Sequence, residues 1–230
     1  MSVALQNIPL FSGLTDQDVQ SLLKLATPRR FAKSAAVIRE GAEGESLFIV
    51  IEGKVKVYLN DDNGKEIILS VLGPGDFIGE LALIDDDARS ASVMTMEPSE
   101  FLVLPKQAFR DHLRKNPDLA MNMLRVLATR LRGADQMIGS LALMDVFGRV
   151  ARTLTQLAKP SDGRMVVTDR YTQQDIANMV GASREMVSRI FRDLTMAGLI
   201  QVEHGQIVVN ESPRQTFPSA VSRQTPRVGH

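Results

Sequence analysis

Apolar and polar positions follow three different patterns along this 230-residue chain. A short amphipathic helix is predicted to begin at Thr15 or Asp16, either of which can act as its N-cap. Over residues 29–105, short apolar runs rich in β-branched residues are separated by glycines, which predicts an antiparallel β-barrel or sandwich. Helical spacing then returns in a short segment, 106–115, and in a long one, about 118–143.

One hairpin stands out within the predicted barrel. The runs KVKVYLN and EIILSVL are joined by residues 61–65, which include Asn63 and Gly64. Asn-Gly pairs favour the positive φ values that hairpin turns require. We therefore expect these two runs to pair as neighbouring antiparallel strands.

The long helix carries a narrow apolar seam. Its residues recur at alternating steps of three and four, and polar residues such as Arg125, Arg130, Arg132 and Gln136 flank them. Such a seam can dock on the chain's own barrel, but its narrowness favours a two-stranded coiled coil and hence a homodimer. The seam residues are Leu124, Leu127, Leu131, Ala134, Ile138 and Leu141.

The last third of the chain predicts a smaller domain. A helix from Asp145 to about residue 159 ends at Pro160 and a Ser-Asp-Gly turn. Two helices at 172–180 and 183–197, separated by Gly181, form a helix-turn-helix, and a hairpin follows. The predicted limits are 1–117 for the β-rich domain, 118–144 for the long helix and hinge, 145–210 for the second domain, and 211–230 for a disordered tail.

The second helix of this pair has side chains suited to reading bases. Ser183 is placed as its N-cap, and Arg184, Glu185, Ser188 and Arg189 lie off the apolar face. Arginine can bond O6 and N7 of guanine in the major groove, and glutamate can accept from N4 of cytosine. This helix therefore predicts sequence-specific binding of double-stranded DNA.

Composition and charge narrow the function classes. The chain has no cysteine and only three scattered histidines, which argues against a metal or thiol-based redox site, and we expect no metal and no cofactor.

Net charge is zero, but residues 1–145 hold 16 basic and 20 acidic side chains whereas residues 146–230 hold 11 basic and 7 acidic ones. The basic C-terminal part is the side on which a polyanion is expected. No apolar run reaches the length of a spanning helix, so we expect a cytoplasmic protein without a membrane partner.

A second motif predicts an anion site in the barrel. In GDFIGELALIDDDARSASV, a glycine precedes a short helical turn and an arginine returns ten residues after it. Free N–H groups at the turn and the arginine can seat a cyclic phosphate, while a glutamate accepts from a sugar hydroxyl. Alternatively, Glu80 and Arg89 form a structural ion pair. The predicted ligand residues here are Gly79, Glu80, Leu81, Ala82, Arg89 and Ser90.

With both motifs, residues 10–210 resemble the cyclic-AMP receptor protein and fumarate-nitrate regulator superfamily of bacterial transcription factors. The resemblance implies an α+β chain: a cyclic-nucleotide-binding β-roll similar to a jelly roll, a long dimerisation helix and a winged helix-turn-helix. It also implies TGTGA half-sites, RNA polymerase as a partner, and an allosteric cyclic-nucleotide effector. By the same resemblance, Arg184 and Arg189 contact guanines and Glu185 a cytosine, with Thr172 and Ser183 on phosphates; Gln173 replaces the usual arginine.

Recognition of the nucleotide base departs from the family pattern. Cyclic-AMP receptors present Thr-Ser on the long helix, whereas this chain has Ala134 and Asp135. Guanine offers N1–H and N2–H₂ donors together, which suits a carboxylate that only accepts. The effector is therefore predicted to be cyclic AMP or a guanine nucleotide, either cyclic di-GMP or cyclic GMP. Alternatively, Asp135 is an exposed residue at the rim of the seam.

Two other function classes compete with this interpretation. A constitutive dimeric regulator would carry the same barrel, but the anion site at residues 79–90, here called the cassette, would be vestigial and DNA binding would not depend on a ligand. An enzyme is disfavoured, because no nucleophile–base pair, metal cluster or paired carboxylates have a recognisable spacing, and no catalytic residue is predicted.

Overall fold

A computed structural model describes residues 8–203 and 205–210. These residues form two compact units, with the boundary between Met137 and Ile138. The first unit is mainly β-structure followed by helices, and the second combines helices with a small sheet. In the described part of the chain, no helix is both long and apolar enough to cross a membrane.

The first unit contains two four-stranded antiparallel sheets. Their strand orders are β1-β8-β3-β6 and β2-β7-β4-β5, which confirms the predicted jelly-roll-like barrel. The strands are β1 (Thr27–Phe31), β2 (Ala36–Ile38), β3 (Ser46–Glu52), β4 (Val55–Asn60), β5 (Glu66–Leu72), β6 (Phe77–Ile78), β7 (Ser92–Thr95) and β8 (Ser99–Pro105).

Apolar side chains from both sheets meet in the barrel interior. Val50 and Phe101 of one sheet pack with Val55 and Val93 of the other, and all four are buried. The predicted hairpin is present, since β4 pairs with β5 in antiparallel register. In its turn only Gly64 has a positive φ, of 77°, while the Asp61 carboxylate accepts from the N–H groups of Asn63 and Lys65. The turn is thus held by an aspartate as well as by the glycine.

Helices cover one side of this barrel. They are α1 (Asp16–Leu23), the short α2 (Leu81–Ile84), α3 (Lys106–Lys115) and the first part of α4 (Pro117–Leu143). Thr15 is the N-cap of α1, as predicted, and its side chain accepts from the N–H of Asp18. A buried cluster joins these helices to β3 and β8 through side chains such as Leu22, Leu47 and Phe109.

The long helix α4 has two separate apolar faces. Leu119 and Met123 are buried against the barrel, and Nδ2 of buried Asn122 donates to the carbonyls of Leu10 and Ser12. The helix therefore packs on the chain's own barrel through this face, which was not predicted, and not through the predicted seam. The predicted seam is a different face: Leu124, Leu131, Ile138 and Leu141 are exposed in the single chain, and Leu127 is half-buried at the barrel edge.

The second unit contains the predicted helix-turn-helix. Its elements are α5 (Val146–Leu157), β9 (Lys159–Ser161), β10 (Arg164–Val167), α6 (Gln173–Val180), α7 (Arg184–Met196), β11 (Ile200–Glu203) and β12 (Gln206–Val209). Its core combines all three helices with the sheet β11-β12-β10-β9.

Residues 158–163 differ from the prediction. The helix that begins after its N-cap Asp145 ends at Leu157, not near residue 159, and the next residues form the strand β9. The predicted turn is the two-residue loop of a β9–β10 hairpin, with Asp162 and Gly163 at φ 50° and 76°. Positive φ at both loop residues is the signature of a type I′ hairpin. The predicted disordered tail at 211–230 lies outside the described residues.

Candidate ligand site and nucleic-acid interface

The predicted anion cassette lies between β6 and β7 on the barrel. Gly79 follows β6 with φ 85°, a conformation that favours glycine. A Cβ at this position would collide with Nη1 of Arg89. Glycine is therefore required both by the backbone angle and by the close approach of the arginine.

The guanidinium of Arg89 is buried beside this turn. The residue is 7% exposed, and it donates from Nη1 to the carbonyl of Gly79 (2.6 Å) and from Nη2 to the carbonyl of Ser46 (2.7 Å). Its backbone is fixed as well, because its N–H donates to the carbonyl of Ala42 and its carbonyl accepts from Gly41. Burial lowers the pKa of Arg89, and the negative charges of Glu80 and Glu45 oppose this shift.

Glu80 forms an ion pair with a residue of the long helix. Its side chain is 6% exposed, and Oε1 accepts from Nη1 of Arg130 at 2.7 Å. Nη2 of Arg130 also donates to the carbonyl of Phe77 at 2.5 Å, and the guanidinium lies 4.8 Å from the centre of the Phe77 ring. The alternative of a Glu80–Arg89 ion pair is therefore wrong, since each of these groups has other hydrogen-bond partners.

Arg130 is the residue of this site that sequence reasoning missed. In the sequence it flanks the seam, and it lies one helical turn before Ala134. Residues four apart on a helix share a face, so a ligand that approaches Ala134 also lies near Arg130. That spacing was the available signal.

The remaining predicted ligand residues lie in different surroundings. Ala82 is buried, and its side chain occupies the space that a Cβ at Gly44 would need. By contrast, Leu81, Ser90, Ala134 and Asp135 are exposed in the single chain. The structure thus brings Gly79, Glu80 and Arg89 together, and Arg130 connects them to the turn of α4 that precedes Ala134.

The helix-turn-helix is formed by local interactions. Thr172 and Asp175 make a reciprocal capping box at the start of α6, and Ser183 accepts from the N–H of Met186 at the start of α7. Gly181 between the helices has φ 64°. The apolar residues at helical spacing in the two helices are buried, namely Ile176, Ala177, Val180, Val187, Ile190 and Leu194.

The opposite face of α7 presents charged side chains to solvent. Arg184, Glu185 and Arg189 are exposed, whereas Ser188 is half-buried. The backbone N–H of Glu185 and the hydroxyl of Ser183 lower the pKa of the Glu185 carboxyl. Glu185 therefore remains ionised near neutral pH and can only accept hydrogen bonds.

An open groove of about 360 Å³ continues this face toward the β11–β12 hairpin. Gln173 of α6 and Arg192 of α7 supply polar atoms, and Phe191 and Val202 supply apolar surface. Within 8–203 and 205–210, no group of three or more acidic, histidine or cysteine side chains could hold a metal ion.

Family models match both parts of the chain. Residues 28–116 match the cyclic nucleotide-binding domain, and residues 148–214 match the Crp-like helix-turn-helix domain. These segments contain the cassette and α7, the recognition helix of the helix-turn-helix.

Similar proteins match over most of the chain. It is 34% identical to the CRP-like cAMP-activated global transcriptional regulator of Mycobacterium tuberculosis, over 93% of this chain and 97% of that protein. Identity to the cAMP-activated global transcriptional regulator CRP of Salmonella typhimurium is 36%, over 85% and 94% of the two chains.

A similar solved structure is that of the c-di-GMP responsive global regulator CLP of Xanthomonas campestris. Its TM-score is 0.75 at 25% identity, over 86% of this chain and all of that one. Together with both domain matches and the identity to curated relatives, the conclusion is that this chain belongs to the CRP/FNR family, a family of transcription regulators and not of enzymes, and carries its cyclic-nucleotide-binding and helix-turn-helix domains.

Proposed function

We propose that this chain is a homodimeric regulator that binds a cyclic nucleotide in the Gly79–Arg89 cassette and, in response, binds palindromic DNA. The observation that carries the proposal is the buried Arg89 guanidinium, hydrogen-bonded to neutral carbonyls beside Gly79 and Glu80. A buried cation without a directly bonded anion is costly, and a phosphate would compensate it.

Arg89 retains donors for that phosphate. A guanidinium has five N–H donors, of which two here point to the carbonyls of Gly79 and Ser46. The remaining donors, the Ser90 hydroxyl and the N–H groups at the start of α2 form the anion site of the proposal. Glu80 accepts a ribose hydroxyl with Oε2, while Oε1 stays with Arg130.

The effector is cyclic AMP or a guanine nucleotide. The names of the bacterial relatives above favour cyclic AMP, and the similar Xanthomonas regulator is named as responsive to cyclic di-GMP. The Ala134–Asp135 pair favours a guanine base, because Asp135 can accept from two guanine donors. Calorimetry with cyclic AMP, cyclic GMP and cyclic di-GMP decides among them, and micromolar binding of cyclic AMP alone would exclude the guanine effectors.

The dimer is proposed from the exposed seam of α4. Leu124, Leu131 and Ile138 are 57–64% exposed in the single chain, on a face next to the one that packs on the barrel. A second copy of the chain would cover this row, as in a two-stranded coiled coil. In the proposed dimer, residues 1–117 form the ligand domain, 118–144 the dimerisation helix and hinge, and 145–210 the DNA-binding domain. Sedimentation at micromolar concentration tests the dimer, and a monomer with and without nucleotide would contradict it.

The DNA target is proposed to be TGTGA-like half-sites. Arg184 and Arg189 are exposed on α7 and can contact guanines, and ionised Glu185 can accept from cytosine N4. Ser188 and the N-terminal residues Thr172 and Gln173 of α6 would contact the flanking backbone, as would Ser183. RNA polymerase is the expected protein partner at promoters.

The ligand can act on the dimer through Arg130. This arginine bonds Glu80 and Phe77 in the cassette and belongs to the helix that carries the seam. A nucleotide that favours one arrangement of the paired helices would shift the population toward it. Footprinting of TGTGA-type DNA with and without each nucleotide tests this response. Equal footprints in both conditions would favour the ligand-independent alternative with a vestigial cassette.

A further inference from the structure

The C-terminal end of α2 is held by an arginine from α3. Nε of Arg110 donates to the carbonyl of Leu83 at 2.6 Å, and Nη2 lies 3.5 Å from the carbonyl of Ile84. The last carbonyls of a helix lack partners within that helix. Arg110 therefore caps the end of α2 that points away from Gly79 and Glu80.

The loop after α2 is tied to the same arginine. Asp86 has φ 63°, a left-handed conformation that aspartate and asparagine adopt more readily than other residues with a side chain. Its carboxylate pairs with Nη2 of Arg110 at 2.8 Å and with Nζ of Lys106 at 2.7 Å. These two pairs lower the pKa of Asp86 to about 2, so both persist near neutral pH. The backbone N–H of Lys106 in turn donates to the carbonyl of Glu45.

Three arginines from different parts of the fold hold the segment 77–84. Arg130 of α4 bonds the carbonyl of Phe77, Arg89 bonds that of Gly79, and Arg110 of α3 bonds that of Leu83. The first two also belong to the ligand site described above. Arg110 is the one on the far side of α2.

A four-residue helix cannot fix its own orientation. Isolated helices of this length are unstable, because nucleation costs more than one turn of hydrogen bonds returns. The direction of the N–H groups at Gly79–Leu81 therefore depends on what holds the other end of α2. In this fold that end is held by Arg110, Asp86 and Lys106.

We propose that Arg110, together with Asp86 and Lys106, acts as a positioning brace that orients α2 for phosphate binding without touching the ligand. The brace rests on the proposed function, since it serves the same cassette. It also makes α3 a second helix, besides α4, that is connected to the cassette by an arginine.

The test compares Arg110→Ala with Arg114→Ala in the full chain. Arg114 lies one turn further along α3 and pairs with Asp111 at the surface. Its replacement removes the same charge without removing a bond to α2. Calorimetry with cyclic AMP, cyclic GMP and cyclic di-GMP measures the dissociation constant of each variant. For Arg110→Ala, we expect about tenfold weaker binding of whichever nucleotide the wild type binds, as for one lost hydrogen bond to a charged donor. For Arg114→Ala we expect no change.

Amide hydrogen exchange on the ligand-free chain separates the brace from the ligand. The N–H groups of Ile84 and Asp85 bond within α2, to the carbonyls of Glu80 and Leu81. We expect Arg110→Ala to lose protection there while β3 and β8 keep theirs, which also shows that the variant folds. Wild-type protection together with a wild-type dissociation constant would overturn the proposal.

Two milder variants keep the test decisive if Arg110→Ala unfolds. Arg110→Lys keeps the charge but cannot bond Leu83 and Asp86 with one planar group, and Asp86→Asn keeps a side chain tolerant of positive φ but loses both ion pairs. Each should weaken binding by a smaller factor than Arg110→Ala, and unchanged binding and exchange in both would refute the brace. A wild type that binds none of the three nucleotides would instead refute the proposed function, while the exchange comparison still decides whether Arg110 holds α2.

Discussion

The functional arginines of the two units lie in opposite environments. In the cassette, Arg89 is buried and donates two hydrogen bonds to backbone carbonyls. On the recognition helix, Arg184 and Arg189 are exposed to solvent. A change in the cassette should therefore alter both folding and ligand affinity, whereas a change on α7 should alter DNA affinity alone.

The largest expected effect is in the cassette. Arg89→Leu should abolish cyclic-nucleotide binding, with a loss of at least about 100-fold, because it removes the phosphate's cation and leaves the Gly79 and Ser46 carbonyls without this donor. Calorimetry measures the loss, and nonspecific DNA binding should remain. Arg30→Leu, which breaks an exposed pair with Glu100 on the same barrel, is the control and should bind normally. An unchanged nucleotide response in Arg89→Leu would remove Arg89 from the site.

The second effect concerns the exposed seam of α4. Leu131→Asp should convert the dimer to a monomer at micromolar concentration, because it places facing carboxylates in an apolar seam. Sedimentation measures the change. Leu25→Asp alters an exposed leucine of the barrel unit outside the seam and should leave the dimer intact. Persistence of the dimer in Leu131→Asp would show that another surface pairs the chains.

The third effect isolates the recognition helix. Arg184→Ala should cost about 1–3 kcal/mol of binding free energy on TGTGA-type DNA, the value of a bidentate contact to guanine. Nucleotide affinity should not change, because Arg184 lies outside the cassette. Fluorescence anisotropy with TGTGA-type and random duplexes measures the specific and the nonspecific DNA affinity. An equal loss on the two duplexes would identify Arg184 as a phosphate contact.

The two sites also differ in how far the sequence alone predicts them. The helix-turn-helix was predicted correctly because its determinants are local: the Thr172 cap, Gly181, and apolar residues at helical spacing. Caps and periodicity act over a few residues and can be recognised in a single sequence. The β9–β10 hairpin was missed although Asp162–Gly163 offered a local signal, because its strands are only three and four residues long.

The cassette is assembled over long distances, and sequence reasoning recovered only part of it. The Gly79-to-Arg89 segment was recognised as a motif, but Ser46, Arg110 and Arg130 come from three other elements. No periodicity links an arginine in one helix to a carbonyl in another segment. The barrel face of α4 was missed for the same reason, since buried Asn122 becomes intelligible only when the carbonyls of Leu10 and Ser12 are seen beside it.

The smallest expected effect concerns the pH dependence of the Asp86 pairs. Their pull lowers the pKa of Asp86 from 3.8 to about 2, so the stabilisation they give is complete above pH 3.8 and is lost as the pH falls toward 2. Thermal unfolding of wild type and Asp86→Asn should therefore differ by a constant amount from pH 8 to about pH 5. The difference should then shrink on further acidification, as wild-type Asp86 becomes protonated and loses its pairs with Lys106 and Arg110. Because the Asp86 side chain is 61% exposed, salt should reduce the same difference at neutral pH. A difference that grows on acidification would mean that these pairs do not lower the pKa of Asp86 in the folded chain.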